Sequence, residues 1–591
     1  MSFKKDTASF EDNDLSHQDS RITDDESDAQ VGVKTVEATE RVYGRWSKWF
    51  LFLGLGLASY IYSLDGSTTY TYLAYATSTF GEHSLISSVQ VAQSIIVACG
   101  KPVIAKFADT TSRGTAYLAV CTSGTLFRYI VIASAQNVGS IASGIILYAV
   151  GLQLLTQVII ADITTLKWRG LVSSLTASPF IINGFVGANI SAAVLEHIGW
   201  RWGYGMFAIL IPVSLSPLII TLFWAERKAK HLGLVTKNFM GQDSSQPYGT
   251  QIWSFVQALD LIGLVLLAAS VALILLPLTL SQTVSRGWHD PSIIAMLVVG
   301  LVLMFVFALW DMRFATRPIL PGRFLRNRAF IAAAWIGFFD FISFYLTNTY
   351  LYSFVLVVKP WSLINLTYFT STQTIALTVF GIMAGVIMRF HQRYKWLLVT
   401  GLAIRLLGAG LMIHSRGANG SDAELVWTQL LQGIGGGIAA VAAQVGAQAS
   451  VTHADVAIIT AVVLLWTEIG GAIGQAVAGA IWTNTMPKNL AKFLPQLTAE
   501  QRATLFGSLT DVTTYPRGDP IREGVIDAYS ETMKVLCIVA TCLSVLPLLF
   551  SLGMPDWFLG DAQNAVDETT LTGERVGTSE QEQHATERRS A

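Results

Sequence analysis

Apolar stretches long enough to cross a bilayer recur fourteen times between about Lys48 and Leu552, at short and regular intervals. About 20 residues of helix span a hydrocarbon core, inside which every backbone N–H and C=O must find a partner within the protein. Helices meet that demand locally, so the pattern predicts an all-α membrane protein. The spans fall at roughly 48–72, 85–105, 115–134, 139–161, 171–194, 201–224, 257–280, 291–311, 329–353, 364–388, 396–413, 425–448, 456–484 and 532–552. Composition argues the same way: with 13% charged residues, 591 residues cannot cover a soluble surface.

Charge sets the orientation. Arg41, Arg45, Lys48, Lys106, Arg113, Lys167, Arg169, Arg227, Lys228, Arg313, Arg317, Arg323, Arg326, Arg328, Arg389, Arg393 and Lys395 all fall on one side of these spans. Loops on the other side contribute Arg201, Arg286, Lys359 and Arg416. The positive-inside rule then places both chain ends in the cytosol. The polar stretches 1–46 and 554–591 read as disordered cytosolic tails. Sequons at Asn365 and Asn419 lie on the expected outer face, as does the long connection 487–530, whose LPQLTAEQRATLFG segment is expected to form a short helix at the extracellular mouth. A net charge of −1 leaves no footprint for nucleic acid. Cys99, Cys121, Cys537 and Cys542 all sit in spans without ligand spacing, and no two of the nine histidines are spaced as ligands, so neither a cofactor nor a metal centre is expected.

Three spans carry a carboxylate at depth: Asp65, Asp340 and Glu468. An acidic group at the bilayer centre costs at least about 2.5 kcal/mol, so such residues line aqueous passages or pair with a cation. A site that is alternately dry and wet takes up and releases a proton, because desolvation favours the neutral acid. These three are therefore the candidate proton-coupling residues. The other reading is a buried ion pair with Arg128 or Arg405, the two intramembrane arginines. Helical spacing extends each polar stripe: Tyr62, Thr69 and Tyr72 share the face of Asp65, Ser343, Phe344 and Thr347 that of Asp340, and Gly471 and Gln475 that of Glu468.

An internal repeat relates two of these spans. Asp65-Gly-Ser-Thr-Thr-Tyr70 in the first parallels Asp340-Phe-Ile-Ser-Phe-Tyr345 in the ninth, and an arginine follows two spans later in each case, Arg128 and Arg405. Six spans, a two-helix insert and six more spans account for this: 47–225 and 313–553 as homologous six-helix bundles, with 226–312 as cytosolic linker and insert. Paired six-helix halves are how major-facilitator transporters are built, with substrate held near the midplane. The glycine runs GIGGG (433–437) and GGAIG (470–474) follow no strand, so they are read as close helix contacts rather than nucleotide loops.

The segments LDGSTTYTYLAYATSTFGEHS (64–84), KPVIAKFADTTSRG (101–114), IADITTLKWRGL (160–171), WRWGYGMF (200–207) and VTHADVAIITAVVLLWTEIGGAIGQAVAGAIWTNTMPKNL (451–490) together resemble the fungal siderophore–iron transporter family of the major facilitator superfamily, from about Trp46 to Trp557. The second segment is similar to the superfamily's loop between helices two and three, departing from it at Ala105 and Thr110, while Asp109 and Arg113 remain as a gating contact. The resemblance implies proton-coupled import of ferric siderophores, with spans one, two, four, five, nine, ten, twelve and thirteen lining the cavity. On those helices Gln153, Gln157, Asn183, Gln444 and Gln448 add uncharged donors and acceptors. A ferric hydroxamate is bulky and often neutral, which suits amides and aromatic faces. The candidate substrate-binding set is Tyr62, Thr69, Tyr72, Gln157, Phe344, Thr347, Gln448 and Gln475.

The rival readings are a proton-antiport drug exporter, a related haem or glutathione transporter, and a receptor that binds substrate without moving it. Against the exporter, SPFIINGFVG (178–187) has the proline but not the glycine array expected in the fifth helix of antiporters. No catalytic constellation points to an enzyme. The plasma membrane is the expected location, with an endosomal or vacuolar membrane as the alternative.

Overall fold

The structure is a computed structural model that describes residue 39, residues 42–79, 86–119, 127–146, 151–233, residue 257, and residues 260–280, 286–315, 318–320, 322–417, 420–507, 509–562 and 564–566. The helices are α1 Arg45–Thr79, α2 Ile86–Thr110, α3 Arg113–Ala119, α4 Phe127–Ala133, α5 Val138–Ile146, α6 Gly151–Ile163, α7 Leu166–Leu175, α8 Pro179–His197 and α9 Trp200–His231, followed by the insert, α10 Leu261–Leu280 and α11 Pro291–Arg313. The second half holds α12 Arg328–Asn348, α13 Leu351–Val358, α14 Leu363–His391, α15 Lys395–Ser415, α16 Asp422–Ala449, α17 Val456–Phe493, α18 Ala499–Gly507, α19 Leu509–Thr514 and α20 Pro520–Leu552. No strand occurs among the described residues.

Nine helical segments among the described residues are long and apolar enough to cross a membrane: Leu166–His197, Trp200–His231, Pro291–Arg313, Arg328–Val358, Ile364–His391, Lys395–Ser415, Asp422–Ala449, Val456–Phe493 and Pro520–Leu552. The other five expected spans coincide with α1, α2, the pairs α3/α4 and α5/α6, and α10. The expected fifth span starts earlier, at Leu166, and is interrupted at Thr176–Ser178 before Pro179 opens α8. Helix starts follow local chemistry. Asp290, Asn327, Ser362 and Asp519 each accept a first-turn amide with a side-chain oxygen, and Ser421 and Glu424 form a reciprocal capping box at α16. The tight turn from α8 into α9 needs a positive φ, which Gly199 supplies at 94°.

Packing repeats between the halves. Helix α1 lies against α8 and α9 just as α12 lies against α17 and α20, and α4 meets α9 as α15 meets α20. The glycine runs serve close contact. A Cβ at Gly474 would stand 2.8 Å from the Ile342 carbonyl oxygen on α12, and one at Gly433 would stand 2.5 Å from the Gln373 carbonyl oxygen on α14. The main pairings that join the halves are α2 with α17 and α7/α8 with α14, and the insert helix α10 packs against both α2 and α17.

One expectation about the connections changes. Residues 554–591 read as a free tail, yet 554–566 lie folded on the protein: Met554, Leu559 and Asn564 are fully buried or nearly so. The connection 487–530 does form the expected helix, α18, with α17 running on to Phe493 and α19 following. It is tied to the second half by Arg522, whose guanidinium donates to the carbonyls of Val357 (2.7 Å) and Val512 (2.6 Å). Residues 1–38 and 567–591, His83 and the Asn419 sequon lie outside the described residues.

Candidate translocation pathway

The described chain ends, near Tyr43 and Met554–Val566, lie on the face that also carries Arg113, Lys167, Arg169 and Arg393. On this basic face the two halves meet closely. From the α7–α14 seam, the Arg389 guanidinium stands 4.3 Å over the ring of Trp168. One turn inward, a Cβ at Gly385 would lie 2.6 Å from the Leu171 Cα, so the helix backbones touch there. The seam continues through Gly184 and Ile375 to the tilted ring pair of Phe185 and Tyr368 at 5.5 Å.

Between these helices an amide bridge spans the halves. Gln157 on α6 accepts from Gln444 Nε2 on α16 at 2.8 Å and from the Ser173 hydroxyl on α7 at 2.6 Å. Deeper toward the basic face, Arg113 Nε donates to Asp162 Oδ2 at 2.9 Å, both buried, and Arg169 Nη2 donates to the carbonyls of Ala161 in α6 and of Thr164 just past its end at 3.0 and 3.1 Å. His453, in the turn His453–Asp455 between α16 and α17, is buried beside this cluster. Burial pushes its imidazole down to about 4, opposed by the Asp162 carboxylate and reinforced by Arg113 and Arg169.

A strap closes the same face. Pro555 accepts from the Tyr394 hydroxyl at 2.5 Å and the Leu559 amide donates to Gln392 at 2.9 Å, which anchors the strap on the second half. It then crosses to the first half, where the Ala562 and Gly560 carbonyls accept the Leu166 and Lys167 amides at 3.1 and 3.0 Å. Those amides open α7 and have no intrahelical acceptor, so the strap serves as the helix cap. Lys167 also pairs with Asp561 at 3.2 Å.

The three intramembrane carboxylates fall into two groups. Asp65 on α1 faces Arg128 on α4 at 3.8 Å, and Asp340 on α12 meets Arg405 on α15 at 2.5 Å. These are the same pair in each half, joining the first helix to the third, as the internal repeat requires. Arg405 also donates to the Asp340 carbonyl at 3.1 Å, and Arg128 stands 4.6 Å over the Tyr129 ring. Glu468 differs. Its Oε1 accepts from Lys101 Nζ at 2.8 Å across the α2–α17 seam, with the lysine side chain 1% exposed and the glutamate 18%. Seven residues away on each antiparallel helix, Ser94 donates to Gln475 at 3.5 Å. This seam carries a charged contact between the halves, whereas Asp65 and Asp340 pair within them.

The expected substrate set separates similarly. Gln157 and Gln475 sit where the halves meet. Tyr62 is half-buried with its ring edge-on to Phe180 of α8 at 6.0 Å, and Phe344 is edge-on to Tyr345 at 5.0 Å. Tyr72 is fully buried, edge-on to Tyr204 at 5.8 Å in the core of the first half. The hydroxyls of Thr69 and Thr347 bond to carbonyls of their own helices at Asp65 and Phe344, and Gln448 donates to Thr460 at 3.0 Å inside the second half. Asn183 donates to the Tyr60 carbonyl at 3.1 Å. The side chains of Asp109 and Gln153 lie outside the described residues, while Arg113, the other residue of the expected gating contact, pairs with Asp162. Reading from sequence alone passes over Lys101, Asp162 and His453. Lys101 had a signal of its own, a lysine inside the 85–105 stretch, four residues from its basic end.

Two pseudo-symmetric helical halves, joined along two seams and closed at one face, define a membrane transporter. The profile of the Major Facilitator Superfamily matches residues 55–474, and the chain belongs to that superfamily. Within it the chain belongs to the fungal siderophore–iron transporter family. It is 38% identical to Siderophore transporter fer7 of Mycosarcoma maydis over 94% of this chain and 88% of that protein. It is 36% identical to MFS siderochrome iron transporter C of Aspergillus fumigatus over 90% of this chain and 88% of that protein. Low affinity heme transporter str3 of Schizosaccharomyces pombe is 35% identical over 91% of this chain and 87% of its own length.

Proposed function

We propose that this chain is a proton-coupled symporter that imports ferric siderophore chelates, with its basic face and both ends in the cytosol and the plasma membrane as its site. The observation that carries the reading is the amide bridge from Gln157 to Gln444 and Ser173, inside a basic face that is closed from Trp168–Arg389 to the strap. A transporter closed on the cytosolic side is poised to load from outside, and half-buried amides between the halves suit a bulky chelate that presents carbonyl and hydroxamate oxygens. The relatives named above add that siderophores are the cargo of similar proteins.

Coupling falls on Glu468 in this reading. Asp65 and Asp340 are held by arginines of their own half, where relative motion of the halves does not separate them. Glu468 is held by a lysine of the other half, so its environment changes whenever the seam opens. The haem-transporting relative favours a second cargo reading, so the test offers both. An uptake-deficient yeast expressing the chain is given a panel of ferric hydroxamates, ferric catecholates and haem, with internal iron measured. Accumulation of a hydroxamate chelate that a protonophore abolishes supports the proposal. Toxin resistance without iron uptake would favour the exporter instead.

A further inference from the structure

We infer that Lys101 is the positioning residue of this transporter: it holds the Glu468 carboxylate across the α2–α17 seam, so that the seam opens only when Glu468 has taken a proton. This rests on the proposed proton coupling and names the residue that enforces it.

The geometry gives the argument. Lys101 Nζ and Glu468 Oε1 are 2.8 Å apart, and the lysine side chain is 1% exposed. An ion pair taken out of water is costly to break from one side, because the abandoned charge stays desolvated. Separating α2 from α17 with Glu468 ionised therefore leaves two unpaired charges. When water from outside delivers a proton to a Glu468 oxygen, the carboxylate becomes a neutral acid and the ammonium loses the attraction that closes the seam. The halves then part, the ammonium is hydrated by the opening passage, and the acid returns its proton to water on the basic face. Net transfer is one proton inward for each opening.

Among the described residues no other charge is placed to substitute. Helix α10 carries no ionisable side chain, and α16 carries only Asp422 and Glu424 at its far end. Helix α6 brings Asp162, which pairs with Arg113, and α12 brings Asp340, which pairs with Arg405. The charges of α20 stop at Lys534, and below that the helix is apolar or hydroxylic except for the thiols of Cys537, which lies beside Arg416, and Cys542. Tyr345 of α12 comes close to Gly471, one turn from Glu468. On α2 itself, Lys106 lies more than a turn nearer the basic face.

The test uses the full chain in proteoliposomes with a radiolabelled ferric trihydroxamate. Two readouts are taken: uptake as external pH falls, and counterflow of preloaded substrate at equal pH. The variants are Lys101→Met, Glu468→Gln, the two combined, and the exchange Lys101→Glu/Glu468→Lys. The expected result is that Lys101→Met keeps counterflow but loses about tenfold of its acid stimulation, within the range of linked sites. The double variant matches the single ones, and the exchange variant regains a pH response because a carboxylate again faces an ammonium. If Lys101→Met keeps the full pH response while Glu468→Gln loses it, the inference falls and proton coupling stands. If Glu468→Gln keeps it, both fall. Loss of counterflow in Lys101→Met together with the double and exchange variants would make the lysine a packing residue and overturn the inference.

Discussion

The strap across the basic face should set how often that face opens. Deleting residues 560–591 keeps Met554–Leu559 on the second half but removes what reaches α7: the Gly560 and Ala562 carbonyls and the Asp561 carboxylate. Each of the two backbone hydrogen bonds is worth about 0.5–1.5 kcal/mol net. The Lys167–Asp561 pair adds about 0–1 kcal/mol, near the low end because Asp561 is 74% exposed. The sum is about 2 kcal/mol, or about a thirtyfold shift of the closed–open equilibrium toward open. The assay needs a reporter inside the seam. Val441 on α16 packs beside Gly170 of α7 and Gly381 of α14, so Val441→Cys in a chain cleared of its four native cysteines serves. A membrane-impermeant maleimide applied to the basic face of inside-out vesicles reads its accessibility. Labelling should be about thirtyfold faster in the truncated chain, in proportion to the open population. A rate unchanged within about twofold would show that the strap's contacts do not hold the halves together, and the argument from α7 capping would fail.

Gly385→Leu forces a side chain against the Leu171 backbone, so the variant should be unable to close its basic face. Val441→Cys should then label quickly whether or not the strap is present, and slow labelling would contradict the close contact. Asp340→Asn leaves Arg405 desolvated and unpaired, which should cost about 3–5 kcal/mol of stability. Asp65→Asn should cost less, because its arginine is 3.8 Å away rather than 2.5 Å. Thermal unfolding in detergent measures both, and a normal melting temperature with lost proton coupling would instead make Asp340 a proton carrier. His453 has an ordinary value near 6.5 when unfolded and about 4 in the folded chain. The unfolded state therefore binds more protons between those values, and stability should fall as pH drops from about 6.5 to 4 while staying flat above. His453→Gln should remove that slope in a pH series of denaturation curves, and an unaltered slope would assign it to other groups.

What could be read from the sequence follows from which forces act locally. Fourteen apolar stretches and one-sided basic loops report the bilayer, and the two Asp-to-Arg repeats give the pairs Asp65–Arg128 and Asp340–Arg405 that the structure contains. Glycine spacing at 433/437 and 470/474 likewise translates into helix contact, because only a missing Cβ permits it. Partnerships between distant helices were harder to see. Helical spacing puts Tyr72 on the face of Asp65, but the 20° left over at seven residues and the neighbouring Tyr204 turn it into the core of the first half. Lys101 and Glu468 are separated by most of the chain, and neither stripe alone names the other. The strap was invisible for another reason. Pro555–Val566 is short and mixed in character, and its reach to the first half comes from backbone carbonyls that cap α7, a contact that no side-chain pattern encodes.

The most direct measurement records both fluxes at once. Proteoliposomes containing the purified chain and a trapped pH dye receive a radiolabelled ferric trihydroxamate from outside, at equal starting pH. The account predicts that the chelate enters together with acidification of the lumen, and that Glu468→Gln abolishes the acidification. Substrate entry with no change in internal pH, in the unaltered protein, would contradict it.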